Sequence, residues 1–570
     1  MRFIFIVICL FSIFINILGL VGPFFMLQVY DRVIPSGSVE TLVALAIIVF
    51  CLYYLYGFLD VVRGRLFVRL GSIVEQSLSK QVFAAIAGLP LREKMDGDVL
   101  RPSRELDQIK TFLSGAALGT LFDLPWLPVY MAICFFIDPL IGLLALGAII
   151  LLFVLNLIAV VKTNKLTRTA MEATARRNSV GEAVSRNAEM LTAMGMGDQA
   201  GKLWSNAGNQ AGLITERLSD ITGFYGGASK VVRHTVQSAA LGIGAYLVIQ
   251  GHLTGGAIIA GSIIVARTVA PVDQLIAQWR GMLSAHQSWK RLKQLIAKFP
   301  EVTTRTKLPT PEHEFSVEGI HVTIPGQTLP TISNVSFRTD AGTVIGVIGP
   351  SGSGKSTLVR ALTGVLPLRR GKVSLDGASL DQWSASDRGN YIGYMPQVSE
   401  FLPGTIAANI SRFTENSDDN AVVKAAKAAG AHDMIVALAN GYDTLLGQQG
   451  AGLSAGQSQR ISLARAFYGD PFLIVLDEPN SNLDRDGEQA LATAIDGVRN
   501  RGGIVIVVAH RENILSVTDK LLVIEKGFAK GFGPRKSILT ALEKQKTRAK
   551  VRTHPGPALA VIENEDQSDD

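Results

Sequence analysis

The sequence predicts an α-helical membrane domain of six spans fused to an α/β phosphate-loop nucleotide-binding domain. Three observations carry this. Long apolar runs fill residues 1–280, and they lift the mean hydropathy of the chain to +0.28. Residues 349–357 form a glycine-rich loop between a β-branched strand and a helix start. A later apolar strand ends in two acids, Asp477 and Glu478. At 570 residues the chain is too long for a single core.

The first span is expected over Phe3 to Leu27. About 25 residues at about 1.5 Å each cross a bilayer core of about 30 Å. The run is long for a secretory signal and has no clean small-residue cleavage site, so it reads as a retained span. The second is expected over Leu42 to Val62 and the third over Leu118 to Ile137. Asp138-Pro139 turns into the fourth, Leu140 to Val161. The fifth is expected over Val231 to Ile249. Gly251 to Gly255 turns into the sixth, Gly256 to Ile276. Glycine and polar residues break the last two.

The links alternate in length and charge. Stretches 63–114 and 162–230 are long and rich in Lys and Arg, whereas the other links are short. The positive-inside rule places both long links, both termini and the nucleotide-binding domain in the cytoplasm. It also accounts for the net charge of +7, so the basic residues do not point to nucleic acid. The long links read as helical extensions of the spans. Gly88-Leu89-Pro90-Leu91 and Gly195-Met196-Gly197 are expected turning points that could touch the ATPase. Cys9, Cys51 and Cys134 lie inside apolar runs and read as buried, reduced fillers. Asp123-Leu124-Pro125-Trp126-Leu127-Pro128-Val129-Tyr130 opens the third span. A carboxylate and two prolines there fit either a kinked, interface-level helix start or part of a substrate path.

The domain boundaries follow: membrane domain 1–300, polar linker 301–314 with Pro309 and Pro311, nucleotide-binding domain 315–544, and a disordered tail 545–570. Within the soluble domain, Gly349, Pro350, Ser351, Gly352, Ser353, Gly354, Lys355, Ser356 and Thr357 form the phosphate loop. Its backbone N–H groups and the helix start behind it suit an anion. Lys355 can reach the β- and γ-phosphates of ATP, and the Ser356 hydroxyl can ligate Mg²⁺. Asp477 is expected at a strand end beside this loop as a Mg²⁺ holder. Glu478 is placed to polarise the attacking water as general base.

Between these motifs stands Leu453-Ser454-Ala455-Gly456-Gln457. It resembles the signature of the ATP-binding-cassette family, and the remaining parts come in the family's order. Gln397 in Tyr394-Met395-Pro396-Gln397 resembles the Q-loop glutamine. Ser481-Asn482-Leu483-Asp484 resembles the D-loop, with Asp484 as its acid. His510 in Val508-Ala509-His510-Arg511 resembles the switch histidine. The resemblance implies a type I ABC exporter-like half-transporter that works as a homodimer. Ser454, Gly456 and Gln457 of one copy would meet the γ-phosphate held by Lys355 of the other. His510 would steady that phosphate, and Gln397 would reach Mg²⁺. Two positions depart from the family pattern. Ala455 replaces a glycine. Ile324, before Pro325-Gly326, stands where an aromatic usually stacks on adenine, a loss of about 1 kcal/mol.

Met26-Leu27-Gln28-Val29-Tyr30-Asp31-Arg32-Val33-Ile34-Pro35-Ser36 and the Asp123 to Tyr130 stretch resemble the permease/ATPase of bacterial type I secretion systems of the PrtD kind. That resemblance implies an inner-membrane exporter with a membrane-fusion adaptor and an outer-membrane channel of the TolC kind. It implies unfolded protein substrates carrying a C-terminal signal. An exporter of lipid, peptide or small molecule is the alternative. A purely gated channel fits an intact Glu478 poorly.

Overall fold

The computed structural model describes residues 2–93, 100–299, 307–447, 452–509 and 512–552. The chain divides into two compact units, close to residues 1–301 and 302–570.

The first unit is helical throughout. The N-terminal apolar run forms α1 (Arg2–Leu18) and α2 (Val21–Gln28), a π-helical turn (Val29–Val33) and α3 (Ile34–Ser36). The second span and its extension are one helix, α4 (Val39–Arg92). α5 (Arg101–Ser114) leads to α6 (Ala116–Asp123), a 3₁₀ turn (Leu124–Trp126) and α7 (Leu127–Ile137). The two prolines of the Asp123 to Tyr130 stretch thus sit at helix starts, where a missing N–H costs little. α8 (Pro139–Arg186) begins at Asp138, whose side chain accepts from the Leu140 N–H at 2.7 Å. α9 (Ala188–Ala193), α10 (Gly197–Ile249) and α11 (Gly255–Ile296) complete the unit.

Among the described residues, five helical stretches are long and apolar enough to cross a bilayer. They hold the first, second, third, fourth and sixth expected spans. The expected fifth, 231–249, is the end of α10. Its buried Val236, Ala240, Gly244 and Leu247 form a narrow face, and the small residues let neighbouring helices approach closely. The link at Gly195 to Gly197 falls at a helix break as expected, with Gly195 at φ +62°. Gly88 to Leu91 does not turn. Pro90 is carried inside α4, which runs on to Arg92. Cys134 is buried, but Cys9 and Cys51 are exposed on the outer faces of their helices. An apolar run does not distinguish a lipid-facing side from a protein-facing one.

The second unit holds two main sheets. β1 (Glu314–Val322), β2 (Ile332–Asp340), β4 (Arg370–Leu375) and β5 (Ala378–Ser379) form an antiparallel sheet in the order β2-β1-β4-β5. The larger sheet has the order β12-β11-β3-β10-β9-β6. Its strands are β3 (Val344–Ile348), β6 (Ile392–Met395), β9 (Leu473–Asp477), β10 (Ile504–Val508), β11 (Lys520–Glu525) and β12 (Phe528–Pro534). Only β12 is antiparallel. β9 and β10 are buried along their whole length, as continuous apolar strands covered on both faces should be. β7 (Gly404–Thr405) and β8 (Leu445–Leu446) make a small separate pair.

Helices cover both faces. α12 (Lys355–Leu362) follows the phosphate loop, and α13 (Ala385–Tyr391) precedes β6. α14 (Ile406–Ile410), α15 (Asp419–Ala428) and α16 (His432–Val436) come next. α17 (Ala455–Phe467), α18 (Arg485–Asn500), α19 (Glu512–Leu515) and α20 (Arg535–Arg552) complete the set. The expected linker is partly outside the described residues, and strand β1 starts at Glu314. The tail expected from 545 is helical to Arg552 as part of α20, and the rest lies outside the described residues.

Candidate active site

In a parallel sheet the loops after each strand emerge at one edge. The loops after β3, β6, β9 and β10 therefore bring the phosphate loop, Gln397, Asp477-Glu478 and Ala509 to one place. His510 lies outside the described residues.

The phosphate loop is built tightly. Gly349 has φ +158°, and a Cβ there would collide with the Ile524 carbonyl oxygen. Lys355 is 6% exposed, and its Nζ donates to the Gly349 and Pro350 carbonyls at 3.0 and 2.9 Å. Burial pushes this ammonium down, opposed by the charges of Glu478 and Asp477. The Ser353 Oγ is buried and makes no hydrogen bond. The hairpin loop that carries Ile324 stands beside this loop, because Thr331 and Ile332 at its end lie against Gly354. Ile324 itself is half-buried at a turn closed by the Gln327 N–H on its carbonyl at 3.0 Å.

Asp477 ends β9 at 1% exposure, and its Oδ1 has no hydrogen-bond partner. Burial pushes this carboxyl up. The Ser356 hydroxyl pulls it back, Glu478 adds to the rise, and Arg360 and Lys355 oppose it. A buried acid with an empty lone pair beside a hydroxyl is a donor set that fits a hard cation such as Mg²⁺.

Glu478 adopts φ +54°, unusual for a residue with a side chain, and its N–H donates to the Val508 carbonyl at 3.1 Å. Such a conformation costs on the order of 1–3 kcal/mol and persists where surrounding bonds impose it. Gln397 Nε2 donates to Glu478 Oε2 at 3.2 Å, so the fold brings these two expected residues together.

The signature forms the start of α17. Ser454 Oγ accepts from the Gln457 N–H at 3.2 Å, and Gln457 Oε1 accepts from the Ser454 N–H at 2.8 Å. The two bonds form a capping box at the start of the helix. Ala455 is exposed. Among the described residues, no hydrogen bond or ion pair joins Ser454, Gly456 or Gln457 to the phosphate loop of the same chain.

Two residues that sequence reading passed over tie these parts together. Gln459 is buried. Its Nε2 donates to the Glu478 carbonyl and to Ser481 Oγ, both at 3.2 Å, and its Oε1 accepts from the Asn482 N–H at 2.8 Å. Arg460 Nη2 meets Asp484 Oδ1 at 2.6 Å. Asp484 also caps α18, accepting from the Gly487 N–H at 2.9 Å. The Gly487 N–H and then Arg460 hold its carboxyl below the usual range. A Cβ on Gly456 would stand 3.0 Å from the Asn482 carbonyl oxygen, so the signature helix touches the D-loop backbone. The signal in the sequence was faint, because Gln459 is one of several polar residues along α17.

The family described as ABC transporter transmembrane region matches residues 5–272, and that described as ABC transporter matches residues 332–481. The type I secretion system ATP-binding protein PrsD of Rhizobium meliloti (strain 1021) is 48% identical over 528 residues. The match covers 93% of this chain and 91% of PrsD. The leukotoxin translocation ATP-binding protein LktB of Mannheimia haemolytica is 31% identical over 527 residues, covering 90% of this chain and 73% of LktB. Among solved structures, a bacterial Atm1-family ABC exporter with ATP bound superposes with a TM-score of 0.83 at 20% identity. It covers 97% of this chain and all of that one, a likeness of fold. The chain belongs to the ABC transporter family, as a helical exporter membrane region fused to an ATP-hydrolysing domain.

Proposed function

We propose that this protein drives export of unfolded polypeptides across the bacterial inner membrane as the ABC component of a type I secretion system. The observation that carries the reading is the 48% identity to PrsD over 93% of the chain. The site supports it, because the phosphate loop, Gln397, Asp477 and Glu478 follow strands of one parallel sheet.

The chain works as a homodimer of head-to-tail cassettes. ATP draws Lys355 off the Gly349 and Pro350 carbonyls onto its β- and γ-phosphates. The loop from Gly349 to Thr357 wraps the phosphates with backbone N–H groups, and Ile324 gives adenine an apolar contact. Mg²⁺ held by Ser356, Asp477 and Gln397 would neutralise charge on the phosphate oxygens. Glu478 orients the attacking water and takes its proton, while His510 steadies the γ-phosphate. Ser454 and Gly456 of the second copy close the site, which fits their separation from the phosphate loop within one chain. Asp484 holds the facing edge through Arg460. The substrate carries a C-terminal signal and passes on to a membrane-fusion adaptor and an outer-membrane channel of the TolC kind. Both termini and the ATPase face the cytoplasm.

The test measures ATP turnover of the purified dimer with and without a C-terminal segment of a candidate secreted protein, with Glu478→Gln as control. A response specific to that segment is expected. Turnover that ignores it and responds to lipids instead would reject protein export.

A further inference from the structure

The cytoplasmic extensions of the membrane unit enclose an open cavity of about 1440 Å³ between α5, α8, α10 and α11. Sites for small molecules occupy about 300–1,000 Å³, so this volume suits part of a polymer. Seven Arg or Lys residues line it against three Glu. The acids are already engaged. Glu105 is buried and binds Arg291 at 2.6 Å and Arg101 at 3.1 Å. Glu172 binds Arg168 at 3.0 Å, and Glu182 binds Arg104 at 3.5 Å. Arg176, Arg186 and Lys290 are exposed to the cavity and make no ion pair among the described residues. The Thr167 Oγ on the same wall is buried and makes no hydrogen bond.

The depth of these cations excludes a lipid headgroup as the occupant. The fourth span is expected to end at Val161 and the sixth at Ile276. At about 1.5 Å per residue, Arg176 and Lys290 lie about 20 Å along their helices beyond those ends, and Arg186 lies about 37 Å beyond. The headgroup layer is only about 5–8 Å thick on each side.

We propose that this cavity receives an acidic, extended segment of the exported polypeptide before it enters the membrane. The inference rests on the export reading. An extended chain offers carboxylates at intervals of about 3.4 Å per residue, and each can meet a guanidinium or ammonium group that now faces water.

The test uses the full chain in detergent and two fluorescent peptides of equal length, one rich in Asp and Glu, the other with Gln at those positions. Anisotropy is read for wild type and for the triple variant Arg176→Gln, Arg186→Gln, Lys290→Gln. The acidic peptide is expected to bind wild type in preference to the Gln peptide, less tightly as salt rises. The triple variant is expected to bind it about tenfold more weakly, the combined effect of three exposed charge contacts. Lys at the two Arg positions should restore most of the binding, with basal ATP turnover unchanged throughout. Equal binding of the two peptides, or equal binding by wild type and triple variant, overturns the proposal. If the C-terminal segment still stimulates turnover in that case, the export reading survives. If the acidic peptide binds as expected but no secretion segment alters turnover, the export reading fails, and the proposed occupant fails with it.

Discussion

Both units of this chain set a carboxylate among basic side chains, and the two surroundings differ in one respect. Asp123, at the start of the third span, has its Oδ1 held by Arg63 Nη1 at 2.9 Å and by Asn16 Nδ2 at 3.0 Å. Asn16 in turn accepts from the Tyr130 hydroxyl at 3.0 Å, and Arg63 also binds Asp60 at 2.8 Å. The network is closed and joins three spans. Asp477, at the end of β9, is more deeply buried, yet its Oδ1 has no partner. A satisfied charge in a low-dielectric setting fastens structure, whereas an unsatisfied one marks where a ligand belongs. The contrast also favours the packing reading of the Asp123 to Tyr130 stretch over a substrate path.

The largest expected effect lies at the open site. Glu478→Gln should lower ATP turnover by about 100-fold or more while leaving nucleotide binding in place, as removal of a general base does. Turnover and nucleotide-binding assays on one preparation check both halves. Asp477→Asn should also abolish turnover, but without destabilising the ATP-free protein, because it removes a buried charge whose Oδ1 has no hydrogen-bond partner.

Asp123→Asn should do the reverse. It leaves Arg63, whose side chain is 11% exposed, with the half-exposed Asp60 as its ion-pair partner among the described residues. A loss of about 1–3 kcal/mol in stability is expected, less than for a fully buried pair because Asp60 remains. Thermal unfolding in detergent reads it. The comparison breaks if Asp477→Asn destabilises more than Asp123→Asn.

A pH scan sharpens the contrast. The folded-state pKa of Asp477 is raised above its ordinary value of 3.8, so the folded protein binds the extra proton. Its contribution to stability is therefore present below 3.8 and is lost as pH rises through the raised value. The difference in melting temperature between wild type and Asp477→Asn should follow that course without nucleotide. A flat difference would show that burial does not raise this carboxyl.

The smallest effect is expected at Arg460→Ala. It removes a pair whose acid is largely exposed and screened by water, so the melting temperature should fall only slightly. Asp484 still caps α18. A larger fall in melting temperature would show that the pair carries more of the D-loop than its exposure suggests.

What could be read in the sequence was what depends on near neighbours. Apolar runs mark the spans, because about 20 residues suffice to cross a bilayer. The phosphate loop and the Asp477-Glu478 strand end are contiguous chemistry. Distant pairings left no such trace. Asp31, in the π-helical turn, accepts from the Gly256 N–H at 2.8 Å and from Thr254 Oγ1 at 2.6 Å, and so fixes the start of α11 from 225 positions away. The partners of Asp123 come from α1 and α4. The capping box at Gln457 could not be told from a ligand contact in the sequence, because both call on the same residue type. Gln459 was passed over because its burial depends on the strand beneath it.

The bonds of Gln459 have a mechanical result. One side chain grips the carbonyl of Glu478 and the backbone of Asn482, and Gly456 rests on that same Asn482 carbonyl. In the head-to-tail pair proposed above, each copy would therefore carry its signature helix and its own Glu478 on one bonded segment. Neither can shift alone. In the proposed pair, a shift of the signature helix in one copy would pass through Gln459 to the Glu478 of that same copy.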